Sequence, residues 1–230
     1  MMFFGLPYFL GPSILILLPA LVLAIYAQYK VRSTYARYAR VPTARRTSAK
    51  EAAQRLLSSA GVYDVEIAET KGPLTDNYDP RKKVLRLSDP ESTSVAAIGV
   101  AAHEAGHAIQ HAQAYRPLVL RTTIVPVANF GTTLAMPLFL FGLLTSYQPL
   151  MTIGILAFSV AVLFTLVTLP VEFDASRRAI VALRSSGIVS EEELGGAKEV
   201  LFAAALTYVA AAAMAALQLL MLISASRRRQ

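Results

Sequence analysis

The chain holds only three histidines, and they fall at a spacing of four: His103, His107 and His111. The first two frame the run His103-Glu104-Ala105-Gly106-His107. Four residues advance an α-helix by slightly more than one turn, so His103 and His107 share a face and their imidazoles can grip one metal ion. Glu104 projects beside them. In a His-Glu-x-x-His helix such a glutamate is the general base that takes a proton from the attacking water. The apolar run Val95-Ala96-Ala97-Ile98-Gly99-Val100-Ala101-Ala102 leads into the motif as a buried helix would. Gly106, with no side chain, allows another element to come close. The competing reading of these residues is a satisfied polar cluster near a membrane surface.

Two imidazoles do not complete a catalytic zinc site, which takes three protein ligands and keeps an open position. Cysteine is absent, so every ligand must be a histidine or a carboxylate. His111 lies two turns beyond His103, about 12 Å along the axis, too far for one ion. The extended pattern with a third histidine on the same segment is excluded, because Gln110 and Gln113 stand where it needs glycine and histidine. Glu172 is the best remaining carboxylate. It follows an uncharged run directly, in Pro170-Val171-Glu172-Phe173-Asp174-Ala175-Ser176-Arg177-Arg178. An acid at that place is costly unless a cation or polar partner holds it. The alternative is an interface acid paired with Arg177 or Arg178. Asp174 points elsewhere on the same helix and fits an ion pair with either arginine. Ser176 lies one turn beyond Glu172 and can hydrogen-bond a metal ligand.

These residues must be positioned by a chain of 230 residues that is 55% hydrophobic. No charged residue occurs from Thr122 to Val171, which suits two membrane spans of about 20 residues each. Thr145-Ser146-Tyr147-Gln148-Pro149 is the turn between them. Further uncharged runs cover Met1–Tyr29 and Val200–Ser226. The expected organisation is therefore transmembrane helix 1 in residues 1–29, a basic linker in 30–46 and a catalytic unit in 47–121. Transmembrane helices 2 and 3 follow in 122–144 and 149–170, then a polar helical segment in 171–199 and transmembrane helix 4 in 200–226. Pro7, Pro12 and Pro19 predict a kinked first span, from about Gly11 to Tyr29. A cleaved signal peptide fits less well, since no basic n-region precedes the apolar run.

The net charge is +7, but its source argues against nucleic acid. Lys30, Arg32, Arg37, Arg40, Arg45, Arg46 and Lys50 follow the first span with no acid among them. Such a juxtamembrane segment stays in the cytoplasm beside anionic headgroups. The amino terminus, the 145–149 turn and the carboxyl terminus are then expected outside, with 171–199 in the cytoplasm. The tail Arg227-Arg228-Arg229 pulls the other way.

The polar stretch 47–121 has local signals of its own. Ser48 and Glu51 form a capping box, and Gly61 supplies a C-cap. Val65 and Ile67 alternate with Glu66 as in a strand, and Lys83–Ser88 reads as a second strand. Asn77-Tyr78-Asp79-Pro80 is turn chemistry. A helix is expected from Pro90–Ser94 to about Ala114. Helix is also expected from about Glu172 to Ser186, closed by Gly187. Ser190 with Glu193 opens another helix that runs into the fourth span.

His103-Glu104-Ala105-Gly106-His107-Ala108-Ile109-Gln110, Leu169-Pro170-Val171-Glu172-Phe173-Asp174-Ala175-Ser176 and Gly72-Pro73-Leu74-Thr75-Asp76-Asn77-Tyr78-Asp79-Pro80 resemble the YugP-like neutral zinc metallopeptidases of bacterial membranes. The likeness covers about Ser48 to Glu193. It implies His103, His107 and Glu172 as zinc ligands and Glu104 as catalyst. In the related HtpX-like peptidases an aspartate follows the ligand glutamate by four, a position held here by Ser176. The resemblance also implies that the strand Lys83–Ser88 holds extended substrate; an ordinary internal strand is the alternative.

The expected protein is an all-α, four-span membrane protein with a small α+β zincin-like unit. It is expected to hydrolyse membrane or unfolded polypeptides at the cytoplasmic face of a bacterial inner membrane, with Zn2+ as cofactor. The lipid membrane and a polypeptide substrate are its expected partners, membrane-protein partners or a homo-oligomer stay open, and nucleic acid is not among them. Two other functions stay open: cleavage inside the membrane, and a non-catalytic scaffold or chaperone with a structural metal. Asp89, Glu91, His111 and Gln113 around the motif weigh against the first. Arg177, Arg178 and Tyr208 are the candidates for stabilising an oxyanion.

Overall fold

The computed structural model of the protein describes residues 15–227. A 3₁₀ turn, Leu15–Leu17, leads into α1, Leu18–Tyr38. Pro19 sits in the first turn of α1, where its missing N–H breaks no helical bond. The helix continues through Lys30, Arg32 and Arg37, so the basic stretch begins as helix. The part of the expected first span before residue 15, with Pro7 and Pro12, lies outside the described residues, as do Arg228 and Arg229.

α2, Ala49–Ser59, starts where its capping box predicts, with Ser48 Oγ accepting from the Glu51 N–H at 3.2 Å. Gly61 follows the C-cap with φ +73°. Three strands come next: β1 Glu66–Glu69, β2 Asn77–Asp79 and β3 Val84–Leu87. The sheet order is β1-β3-β2, with β1 parallel and β2 antiparallel to β3. Two expectations are corrected here. Asn77-Tyr78-Asp79 is a strand, because it pairs with Val84–Arg86; the turn comes just after it, where Asp79 Oδ1 accepts from the Arg81 and Lys82 N–H groups. β3 is the central strand, so both of its hydrogen-bonding edges are taken by neighbours and it cannot add a substrate strand.

α3, Val95–Ala112, carries the histidines and is capped by Ser94, whose Oγ accepts from the Ala97 N–H. α4 spans Arg116–Thr145, α5 Gln148–Ser186 and α6 Glu191–Arg227. The reciprocal bonds between Ser190 and Glu193 start α6 as expected. The span expected over 149–170 and the helix expected from about Glu172 to Ser186 form one helix, whose 39 residues run unbroken through Pro170. At 1.5 Å per residue this is about 58 Å, well beyond the ~30 Å apolar core of a bilayer. α1 with its leading turn, α4, α5 and α6 are each long and apolar enough to cross a membrane.

The chain forms two compact units. Among the described residues, the first takes 15–27, Leu120–Leu169 and 207–227. In it α4 and α5 make a hairpin whose glycines admit close backbone contact: a Cβ on Gly154 would lie 2.8 Å from Ala135 O, and one on Gly142 2.7 Å from Met151 N. Phe139, Leu143, Met151 and Leu222 are buried in its core. The second unit takes Gln28–Val119 and Pro170–Leu206, and so gathers the polar stretches. Its core packs Ala52, Leu56 and Leu57 of α2 with Leu85 and Leu87 of β3, Ile98 and Ala105 of α3, Leu183 of α5 and Leu194 of α6.

Candidate metal centre

All of the chemistry-bearing residues singled out on α3 and on the polar end of α5 belong to the second unit. α3 presents them because its helical repeat sets His103 and His107 one above the other, their ring centroids 4.7 Å apart and their planes at 81°. α5 comes against this face at Gly106. A Cβ there would lie 2.6 Å from the Ala175 carbonyl oxygen, so only glycine permits the approach. Gly106→Ala is expected to destabilise the unit by about 1–3 kcal/mol, the cost of overpacking. It should also weaken zinc binding, by pushing α5 off the histidines. An unfolding midpoint and a metal titration equal to wild type would contradict this.

The close approach brings Glu172 into the centre. Its Oε2 lies 3.3 Å from His103 Nε2 and 3.5 Å from His107 Nε2. The side chain is 2% exposed. The ligand atoms of these three residues lie within 4.8 Å of one another, and the group could hold a metal ion. The two spacings to Glu172 suit zinc, since a tetrahedron with bonds of 2.0–2.1 Å has edges of about 3.3–3.4 Å. Donor types fit as well, two imidazoles and one carboxylate with no thiolate. Burial works against a charge on His107, but Glu172 and Glu104 outweigh it and raise its pKa above the ordinary value. The carboxylates that favour a proton there would favour a cation in its place.

Glu104 is 8% exposed, and its carboxylate accepts no hydrogen bond and joins no ion pair among the described residues. A buried acid left so is uncommon away from functional sites. The faces of the histidines turned away from Glu172 are occupied. Ser176 Oγ lies 3.1 Å from His103 Nδ1, and Gln110 Oε1 lies 3.1 Å from His107 Nδ1. Arg177 and Arg178 both pair with Asp174, which is the partner expected for it and leaves neither arginine paired to Glu172. His111 stands apart from the cluster, as its distance along the helix predicts. Its Nδ1 is 2.8 Å from the hydroxyl of Tyr78 on β2. Burial first, then Asp64 and Asp79, pushes the Tyr78 pKa up to about 12, so the hydroxyl keeps a proton to donate. Sequence reasoning gave neither Gln110 nor Tyr78 a contact with the histidines. Gln110 is wholly buried beside the motif, and a glutamine amid the alanines of a buried helix was the available signal.

The whole is a helical protein with four apolar helices and a buried site of two histidines and a carboxylate that could take a metal. Residues 13–227 match the family model described as "Putative neutral zinc metallopeptidase", and the chain belongs to that family. It is 45% identical to "Putative membrane protease YugP" of Bacillus subtilis (strain 168) over 192 residues, which cover 83% of this chain and 85% of the relative. No solved structure matches the chain significantly.

Proposed function

We propose that this protein is a membrane-embedded zinc metallopeptidase that hydrolyses peptide bonds of membrane or unfolded polypeptides at the cytoplasmic face. The observation that carries this reading is the convergence of His103 Nε2, His107 Nε2 and Glu172 Oε2 on one point. Family membership and the description of the Bacillus subtilis relative as a membrane protease support it. Zinc held there would polarise the scissile carbonyl and bring the pKa of water toward about 7. Glu104, with its acceptors unused, takes the proton from the attacking water and then delivers it to the leaving amine. The second unit serves as the zincin-like unit.

An extended substrate needs a free strand edge, and β3 has none. The outer edge of β2 suits the role, since β2 carries Tyr78, which reaches the histidine helix at His111. The decisive assay is degradation of unfolded casein by the purified, zinc-loaded protein. Bound zinc with no cleavage of any unfolded or membrane polypeptide would leave a structural metal and end the peptidase reading.

The cytoplasmic placement rests on the basic residues from Lys30 to Lys50. Lys50 is exposed and the chain has no cysteine, so a Lys50→Cys variant reports on sidedness. The expected result is no labelling by an impermeant thiol reagent in intact cells and full labelling after permeabilisation. Labelling of intact cells would reverse the topology.

A further inference from the structure

We infer that Gln110 is a positioning residue that sets the tautomer of His107 and ties it to the segment carrying Glu172. The inference rests on the ligand assignment above and adds a residue to it. Gln110 is 0% exposed, and its amide bridges α3 and α5. Its Nε2 donates to Val171 O at 2.9 Å and to Asp174 Oδ2 at 2.9 Å. A backbone carbonyl can only accept. The carboxylate of Asp174, paired with Arg177 and Arg178, can only accept as well. The amide cannot be turned over without setting oxygen against oxygen at both places. Its Oε1 must therefore face His107 Nδ1, and an amide oxygen only accepts. The proton of neutral His107 is thus held on Nδ1, and Nε2 keeps a lone pair aimed at the centre. His103 lacks this constraint, because the Ser176 hydroxyl on its Nδ1 can either donate or accept. The bond to Val171 O also fixes the backbone next to Glu172, so one side chain registers two of the three ligands.

Two variants separate this role from simple packing. Gln110→Met keeps the volume and loses all three hydrogen bonds. Gln110→Glu keeps an acceptor for His107 Nδ1–H and sets a carboxylate against Asp174. A packing role ranks Met above Glu in both unfolding midpoint and zinc affinity, since Glu adds a buried charge. The positioning role keeps that order for stability and inverts it for zinc. The measurements are chelator-competition affinity for zinc, the unfolding midpoint of metal-free protein, and the ring-nitrogen NMR shifts of zinc-loaded, 15N-histidine protein. Gln110→Met is expected to lose about 10–100-fold in zinc affinity, the usual cost of removing a partner of a ligand. Its His107 Nδ1 signal should shift, because the Nδ1–H loses its acceptor. Ser176→Ala should lose less. Wild-type affinity and unchanged His107 shifts in Gln110→Met, or affinities that follow stability across the two variants, would overturn the inference. Wild-type protein that takes no zinc would instead remove the ligand assignment itself. If Gln110→Glu does not fold, the affinity and shifts of Gln110→Met still decide.

Discussion

Glu104→Gln should bind zinc as wild type does and lose peptidase activity by several orders of magnitude. The size follows from two proton transfers, from the attacking water and to the leaving amine, each worth about 10²–10⁴-fold. The substitution is isosteric and removes only the basic oxygen. The folded structure should tolerate it, since the Glu104 carboxylate accepts no hydrogen bond among the described residues that an amide would break. The comparison is casein turnover beside zinc content in the two purified proteins. Near-wild-type turnover would dismiss Glu104 as the catalyst and the peptidase reading with it. Loss of zinc as well would move Glu104 into the ligand set.

Glu172→Ala should abolish bound zinc and activity together. Its carboxylate is the only one whose oxygen meets both histidine Nε2 atoms within 3.5 Å among the described residues. The alanine variant leaves two imidazoles and no carboxylate in contact with both of their Nε2 atoms. Asp174→Ala is the informative control. Asp174 sits two residues away, paired with Arg177 and Arg178 and bonded to Gln110. Its loss should weaken zinc binding by no more than the about 10–100-fold typical of groups behind the ligands. Metal content by elemental analysis, after equilibration with limiting zinc, ranks the three proteins. Equal zinc in wild type and Glu172→Ala, with none in Asp174→Ala, would transfer the third ligand to Asp174.

Several features of the fold were legible because their causes are local. A capping box needs only residues three apart: Ser190 with Glu193 forms both bonds as read, while Ser48 caps the Glu51 N–H and the Glu51 carboxylate turns to Arg55 instead. The four apolar helices follow from run length and the absence of charge. Helical periodicity put His103 and His107 on one face, and the lack of other ligands, the cost of an acid beside an uncharged run and the family resemblance all pointed to Glu172. The β-strand at Asn77–Asp79 could not be seen in this way. Its residues favour turns, and its strand conformation depends on pairing with Val84–Arg86 across the sheet. Pro170 reads as a boundary in sequence, yet α5 passes through it, because a helix in an apolar setting loses one hydrogen bond there and gains nothing by opening.

By itself, then, the sequence determined the chemistry available to this protein: two imidazoles on one helical face, a carboxylate beside them, no thiolate, and helices long and apolar enough to cross a membrane. Those properties depend on residue type and on separations within a turn or a run. Tertiary structure decided which partners each group meets. It set Ala175 against Gly106, brought Glu172 between the histidines, gave Asp174 to the two arginines, turned the Gln110 amide toward His107 and placed β3 in the middle of the sheet. Each of these joins residues far apart in the chain. No local propensity encodes them, because they depend on which faces α3, α5 and the strands bury against one another.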